Sequence, residues 1–133
     1  MENCIFCAIV EKKFKAWIVA ENDKAIAFLD ARPVGPYHTL VIPKQHAVSM
    51  FDVSREVLHD VTELMHEVTQ LYAQKLNFDS VQIFNNSGPN SAQTVFHLHF
   101  HILPRFQDDQ IQFHAKLYPE LVEKYPEMLA KLQ

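Results

Sequence analysis

His97-Leu98-His99-Phe100-His101-Ile102-Leu103 is the stretch on which the fold turns. Imidazoles alternate with apolar side chains. On a β-strand, residues two apart share a face. The spacing therefore predicts a strand with His97, His99 and His101 projecting together and Leu98, Phe100 and Ile102 buried opposite. A helix would scatter the same residues around its circumference. Three uses of such a row are open at this point. It could be the polar face of a half-buried strand, where Thr, Ser or Lys would serve as well. It could be a three-imidazole metal site, as in some zinc enzymes. It could carry nucleophilic and proton-transfer chemistry.

The totals limit the choice. A chain of 133 residues, 48% hydrophobic and 21% charged, suits a single globular domain over residues 1–133 with one real core. A net charge of -4 excludes the basic surface that nucleic acid or an anionic membrane would need. It leaves room for a small anion held by local donors. No apolar run reaches membrane-spanning length. Met1-Glu2-Asn3-Cys4 carries no basic segment ahead of an apolar one, so no signal peptide is expected. The two cysteines, Cys4 and Cys7, are too close in sequence to staple distant parts of a fold, and a reducing cytoplasmic setting is the expectation.

Around the histidine row the rest falls into short elements. Cys4-Ile5-Phe6-Cys7 is a Cys-x-x-Cys that alone could be half a metal site, a redox pair or two idle thiols. Residues 16–20 and 25–29 read as strands joined by a hairpin turn at Asn22-Asp23. Asp30 ends the second of them. Arg32-Pro33-Val34-Gly35-Pro36 is a loop. Thr39-Leu40-Val41-Ile42 is a strongly apolar strand stopped by Pro43, with His38 before it and His46 after it. From about Ser54 to Leu76, apolar residues recur at helical spacing, with Asp52 or Ser54 available as the cap. His59 and His66 flank that stripe and are expected at the surface. Ser80 to Phe84 is a further strand. The uncharged polar loop from Asn85 leads through Gln93 and Thr94 into the histidine row. Residues 113–133 form a tail with two similar pieces, Tyr118-Pro119-Glu120 and Tyr125-Pro126-Glu127. Each proline suits a first helical position, so two short helical pieces lying on the body or on a partner chain are expected.

Chemistry narrows the use of the row. Neutral imidazole is a nucleophile near neutral pH, and its attack on phosphorus gives a phosphoramidate that is easily broken later. Such a site needs one ring with a fixed tautomer, a second that donates hydrogen bonds, and donors around the phosphate oxygens. His99, flanked by the other two, suits the first role. No carboxylate lies between Asn85 and Gln107, where a catalytic metal on the triple would more often recruit one.

The row His97-Leu98-His99-Phe100-His101-Ile102-Leu103 resembles the signature of the histidine triad (HIT) family of nucleotide hydrolases and transferases. Cys4-Ile5-Phe6-Cys7, Ala27-Phe28-Leu29-Asp30, His38-Thr39-Leu40-Val41-Ile42-Pro43-Lys44 and Asn86-Ser87-Gly88 are similar to members of the same family. The resemblance implies an α+β fold, an antiparallel sheet of about five strands with one long helix packed on it. It implies a homodimer and a purine nucleotide substrate cleaved at the α-phosphate, such as a dinucleoside polyphosphate or a nucleoside phosphoramidate. His99 would be the nucleophile. His101 would contact the phosphate or leaving group. Gln93, Thr94 and Asn86 would hold phosphate oxygens. Asp30 would bind the ribose hydroxyls, and Ile26, Phe28 and Ile42 are base-pocket candidates. In some members the equivalent of His97 pairs with that of His38 and its carbonyl orients the nucleophile. In others it is a zinc ligand. With Cys4, Cys7 and His46 present, a closed structural Zn2+ site of Cys4, Cys7, His46 and His97 is expected. A non-catalytic nucleotide-binding module, or a zinc hydrolase using all three histidines, are the alternatives.

Overall fold

The computed structural model describes residues 3–133; Met1 and Glu2, part of the stretch read above for a signal peptide, lie outside it. Five strands form one antiparallel sheet in the order β1-β2-β3-β5-β4. They are β1 (Ile18–Glu21), β2 (Ala25–Leu29), β3 (Thr39–Pro43), β4 (Ser80–Asn85) and β5 (Phe100–Arg105). The hairpin between β1 and β2 closes where expected. The Asn22 side chain accepts from the amides of Lys24 and Ala25, both at 2.9 Å, the local bonding that makes Asn a turn residue.

The long helix α2 runs Arg55–Lys75. Ser54 caps it by accepting from the Val57 amide. Asp52 is used elsewhere: its carboxylate accepts from the amides of Val48 and Ser49. Val61, Leu64, Val68 and Tyr72 of α2 pack on Ala25, Ala27, Val41 and Ile102 of the sheet. His59 and His66 are exposed, as the stripe predicts. Tyr72 buries its ring in that layer, and its hydroxyl lies 2.6 Å from Thr39 Oγ1. Thr39 donates its own proton to the Tyr37 carbonyl, so Tyr72 is the donor to Thr39.

The opposite face of the sheet is covered by a helix the sequence reading left out. Helix α1 (Ile5–Val10) starts at the N-cap Cys4 and seats Phe6 and Ile9 against Ile26, Phe28, Leu40 and Ile42. Strands β2 and β3 are therefore sandwiched on both faces. This is why they read as unbroken apolar runs and not as alternations.

Beyond β5 the chain is held near its start, with Phe106 edge-on to Phe78 and Phe113 edge-on to Phe84. Arg105 grips Asp109 with two bonds of 2.7 and 2.9 Å and donates to the Ile111 carbonyl. The Ile111 side chain then crosses Gly35, where a Cβ would meet Ile111 Cδ1 at 2.6 Å. Two short helical pieces follow: a 3-10 turn at Pro119–Lys124 and α3 (Tyr125–Ala130). Of the two seats expected for them, the body and a partner chain, the first is not taken. Every residue from 112 to 133 is exposed, Leu117, Leu129 and Leu132 among them. No helix among the described residues is long and apolar enough to cross a membrane.

Leu64 lies wholly in the α2–sheet layer, 1% exposed. Leu64→Ala should lower unfolding stability by about 3 kcal/mol, the range for a buried leucine truncation. Urea unfolding reads this, and a loss below about 1 kcal/mol would contradict the packing described.

Candidate functional site

Strand pairing begins only at Phe100, so the expected strand does not extend over His97, Leu98 and His99, which precede β5 with a bend at His97. The Leu98 amide is taken by the Ala47 carbonyl at 2.7 Å. Leu98 and Ile102 are fully buried, as the alternation predicts, whereas Phe100 is only partly buried. The three rings do not converge on one centre, however. Phe6 of α1 packs edge-on against both His97 and His99, with ring centroids 5.9 and 5.2 Å away. The His97 ring serves one cluster. His99 and His101 serve another.

The first cluster is Cys4, Cys7, His46 and His97. His97 Nδ1 lies 3.3 Å from Cys4 Sγ, 3.5 Å from Cys7 Sγ and 3.2 Å from His46 Nδ1. Cys7 Sγ lies 3.3 Å from His46 Nδ1. Zinc bonds of about 2.3 Å to sulfur and about 2.0 Å to nitrogen put tetrahedral ligand atoms about 3.3–3.8 Å apart. The donor set and its spacing thus suit a metal ion. The second ring nitrogen of His97 makes a 2.8 Å bond with the Pro43 carbonyl, which requires an N–H at Nε2. Its Nδ1 lone pair is therefore aimed at the cluster, the tautomer a metal ligand needs. Without a cation the cluster is a poor place for charge. Burial and the adjacent Cys4 thiol push the Cys7 thiol up to about 11, and burial pushes His97 down to about 4.

The second cluster lines a cleft of about 560 Å³, within the usual range for small-molecule sites. Its walls include Phe6, Phe28 and Leu40, with Asp30, Thr94, His99 and His101 among its polar residues. His99 Nδ1 lies 2.8 Å from the His97 carbonyl. Only an N–H can bond there, so His99 carries its proton on Nδ1 and presents a lone pair at Nε2. Asn85 holds the same peptide segment, donating 2.8 Å to the His99 carbonyl. Asn85 was missed in the sequence because its neighbour Asn86 fits the family motif. Asn86 itself is half-buried and outside the lining of the cleft.

His38 pairs with His101 and not with His97. Its Nε2 is 2.9 Å from His101 Nδ1 and 3.5 Å from Asp30 Oδ2. On the other side of His101, Phe84 stacks at 4.4 Å with the planes 12° apart. Gln93 is committed to the loop scaffold. Its side chain accepts from the Gly88 amide and donates to the carbonyls of Val48 and Val95. Gly88 sits at φ 98°, a conformation open to glycine and costly for other residues. Thr94 is exposed at the cleft wall. Of the apolar candidates, Phe28 lines the cleft. Ile26 and Ile42 lie beneath it, fully buried.

Burial keeps the cleft imidazoles neutral. His38 and His99 are shifted below the ordinary imidazole range mainly by desolvation. Burial, followed by the charges of His99 and His38, pushes His101 down to about 4.

Comparison with known proteins places this geometry in context. Residues 11–108 match the HIT domain. An uncharacterised HIT-like protein of Mycoplasma pneumoniae is 44% identical over 105 residues, covering 79% of this chain and 73% of its own. A zinc-bound histidine triad family protein from Mycobacterium smegmatis superposes with a TM-score of 0.79 at 30% identity, covering 99% of each chain. A histidine triad nucleotide-binding protein from Candida albicans does so with a TM-score of 0.75 at 27% identity, covering 98% of this chain and 100% of its own.

The depressed histidines make stability depend on pH with a definite sign. An unfolded imidazole titrates near 6.5, whereas His101 in the fold stays neutral until about 4. Between those values the unfolded chain binds more protons, so stability is full above 6.5 and falls as pH drops toward 4. Urea midpoints measured from neutral to mildly acidic pH should fall, and fall less steeply in His101→Gln. A midpoint that rises on acidification would contradict this assignment.

Proposed function

The chain belongs to the HIT domain family, and from that premise we propose that it is a nucleotide hydrolase or nucleotidyl transferase. It cleaves at the α-phosphate of a purine nucleotide, a dinucleoside polyphosphate or a nucleoside phosphoramidate, through a nucleotidyl-histidine intermediate. One observation carries the reading. The His97 carbonyl fixes the His99 proton on Nδ1, leaving the Nε2 lone pair for a nucleophile in the cleft.

In this reading the purine lies against Phe28 and Leu40, with the ribose hydroxyls at Asp30. His99 Nε2 attacks the α-phosphorus; the P–N bond forms as the bond to the leaving group breaks, the leaving group departing as a phosphate anion or, from a phosphoramidate, as an amine that takes its proton from water. Water then attacks the same phosphorus and releases the nucleoside monophosphate and free His99. Thr94 and His101 contact phosphate oxygens, where hydrogen bonds that strengthen as charge develops lower the barrier. Gln93 acts indirectly, by shaping the loop that carries Thr94. A purely binding module would not require a nucleophile with so defined a tautomer. A hydrolase with zinc on all three histidines would require the His97 Nδ1 that the thiol cluster already engages.

Cys4, Cys7, His46 and His97 are assigned to a structural Zn2+, which would leave no open coordination position for substrate. The homodimer is assigned to the open edge of β4. That strand ends the sheet and exposes Ile83, and an uncovered edge of this kind invites pairing.

His99→Ala should lose at least about a thousandfold in turnover of adenosine or guanosine phosphoramidates and phosphoanhydrides, since the covalent route has no substitute. Product analysis on those substrates reads this, and near-normal hydrolysis by the variant would reject the role. Elemental analysis should find one zinc per chain, lost in Cys7→Ala. Wild-type protein that takes up no zinc would remove the metal assignment while leaving the nucleotide reading intact.

A further inference from the structure

The contacts proposed for the nucleotide leave part of the cleft lining unused. Phe14, Lys15, Trp17 and Val34 also line it. Phe14, Trp17 and Val34 are exposed, Trp17 at 64%, so they stand at its mouth. Single exposed apolar side chains are ordinary on a protein surface. These three gather instead around one opening, the one that leads to His99.

The segment that carries the two aromatics is tied at both ends. Just past α1, the amides of Lys13 and Phe14 both donate to the Ala8 carbonyl, at 2.8 and 3.3 Å. At the other end the Leu29 amide donates to the Trp17 carbonyl at 2.9 Å. That bond sets the Trp17 backbone beside Leu29, the neighbour of Asp30. Ala16 packs inward against the cluster of Phe6, Ile9, Ile26 and Phe28. Lys15 and Trp17, on either side of it, meet each other: Lys15 Nζ lies 4.5 Å from the centre of the indole. The indole is thus placed by its own backbone and by a cation, while most of its surface stays open to solvent.

We infer that Trp17 is a binding residue, the outer wall of the nucleotide site, and that the purine stacks on its indole. The inference rests on the nucleotide reading above, which puts the base against Phe28 and Leu40 and the ribose at Asp30. In that position the base has the apolar floor of the cleft on one side, and the indole closes the other. Tryptophan suits this task. Its face is large, it loses little side-chain entropy on ordering, and stacking accepts any base because every base has a π-face. The contact is remote from the reacting phosphorus and equal in ground and transition states. It therefore tightens binding without speeding the chemical step.

Trp17 is the one tryptophan of the chain, so its fluorescence reports the wall directly. The probes are adenosine and guanosine 5′-monophosphate, with binding itself measured by calorimetry. Acrylamide should quench the emission readily in the nucleotide-free protein, and saturating nucleotide should protect it. Trp17→Ala should weaken binding by about fivefold to a hundredfold, the range for a lost base–aromatic stack. Trp17→Phe should restore most of it. In turnover the loss should fall on KM and not on kcat, the mark of uniform binding. The urea midpoint of Trp17→Ala should stay near that of the wild type, since the side chain it removes is exposed. Nucleotide bound by calorimetry with acrylamide quenching unchanged, or bound as tightly by Trp17→Ala, would overturn the wall and leave the nucleotide reading standing. A Trp17 already shielded before nucleotide is added would assign it to a contact between chains and overturn the wall as well. No binding of either nucleotide to the wild type would overturn both.

Discussion

The site depends on one buried residue that works in three directions. His97 is fully buried. Its Nε2–H is spent on the Pro43 carbonyl at the end of β3. Its Nδ1 faces Cys4, Cys7 and His46. Its own carbonyl receives the His99 proton. Turning the His97 ring would strip the thiol cluster of a ligand and leave the Pro43 carbonyl without a partner. Tilting its peptide would release the His99 tautomer. The anchoring cluster and the reactive cleft are thus joined through a single peptide unit, and Phe6 fills the space between the two rings on either side of it.

Electrostatics follow from the same burial. Imidazoles this well covered resist protonation, and what remains of their chemistry is directional: lone pair or N–H. For His99 the backbone makes the choice, through the His97 carbonyl. Dipoles fixed in this way need no rearrangement when charge appears on a substrate, which is the condition under which hydrogen bonds serve catalysis best.

Much of this was legible in the sequence, and for physical reasons. Strands β2 and β3 announce themselves as unbroken apolar runs and helix α2 by its apolar period, and Ser54 and Asn22 mark element ends by bonding nearby backbone. The Cys4, Cys7, His46, His97 set was legible only through the family resemblance, since a Cys-x-x-Cys alone fits a metal site, a redox pair or two idle thiols. Helix α1 was not, since six residues carry too little periodicity to read. The His38–His101 pair was hidden because it depends on the register of β3 against β5, where Leu40 pairs with His101. Gln93 shows the opposite difficulty: an amide suits a phosphate as well as a carbonyl, and only the folded loop shows it bonded to backbone. The tail has amphipathic composition, yet every residue from 112 to 133 is exposed.

Cys4 and His97 stand 93 positions apart, and Phe6 meets the same segment. Helix α1 can pack its apolar side on β2 and β3 once they exist, but its thiols meet His97 only after the segment leading into β5 has been made. Contacts of such long sequence separation form late and slow folding. The two centres are then completed together, by one closing event, and no truncated chain lacking β5 can assemble either of them.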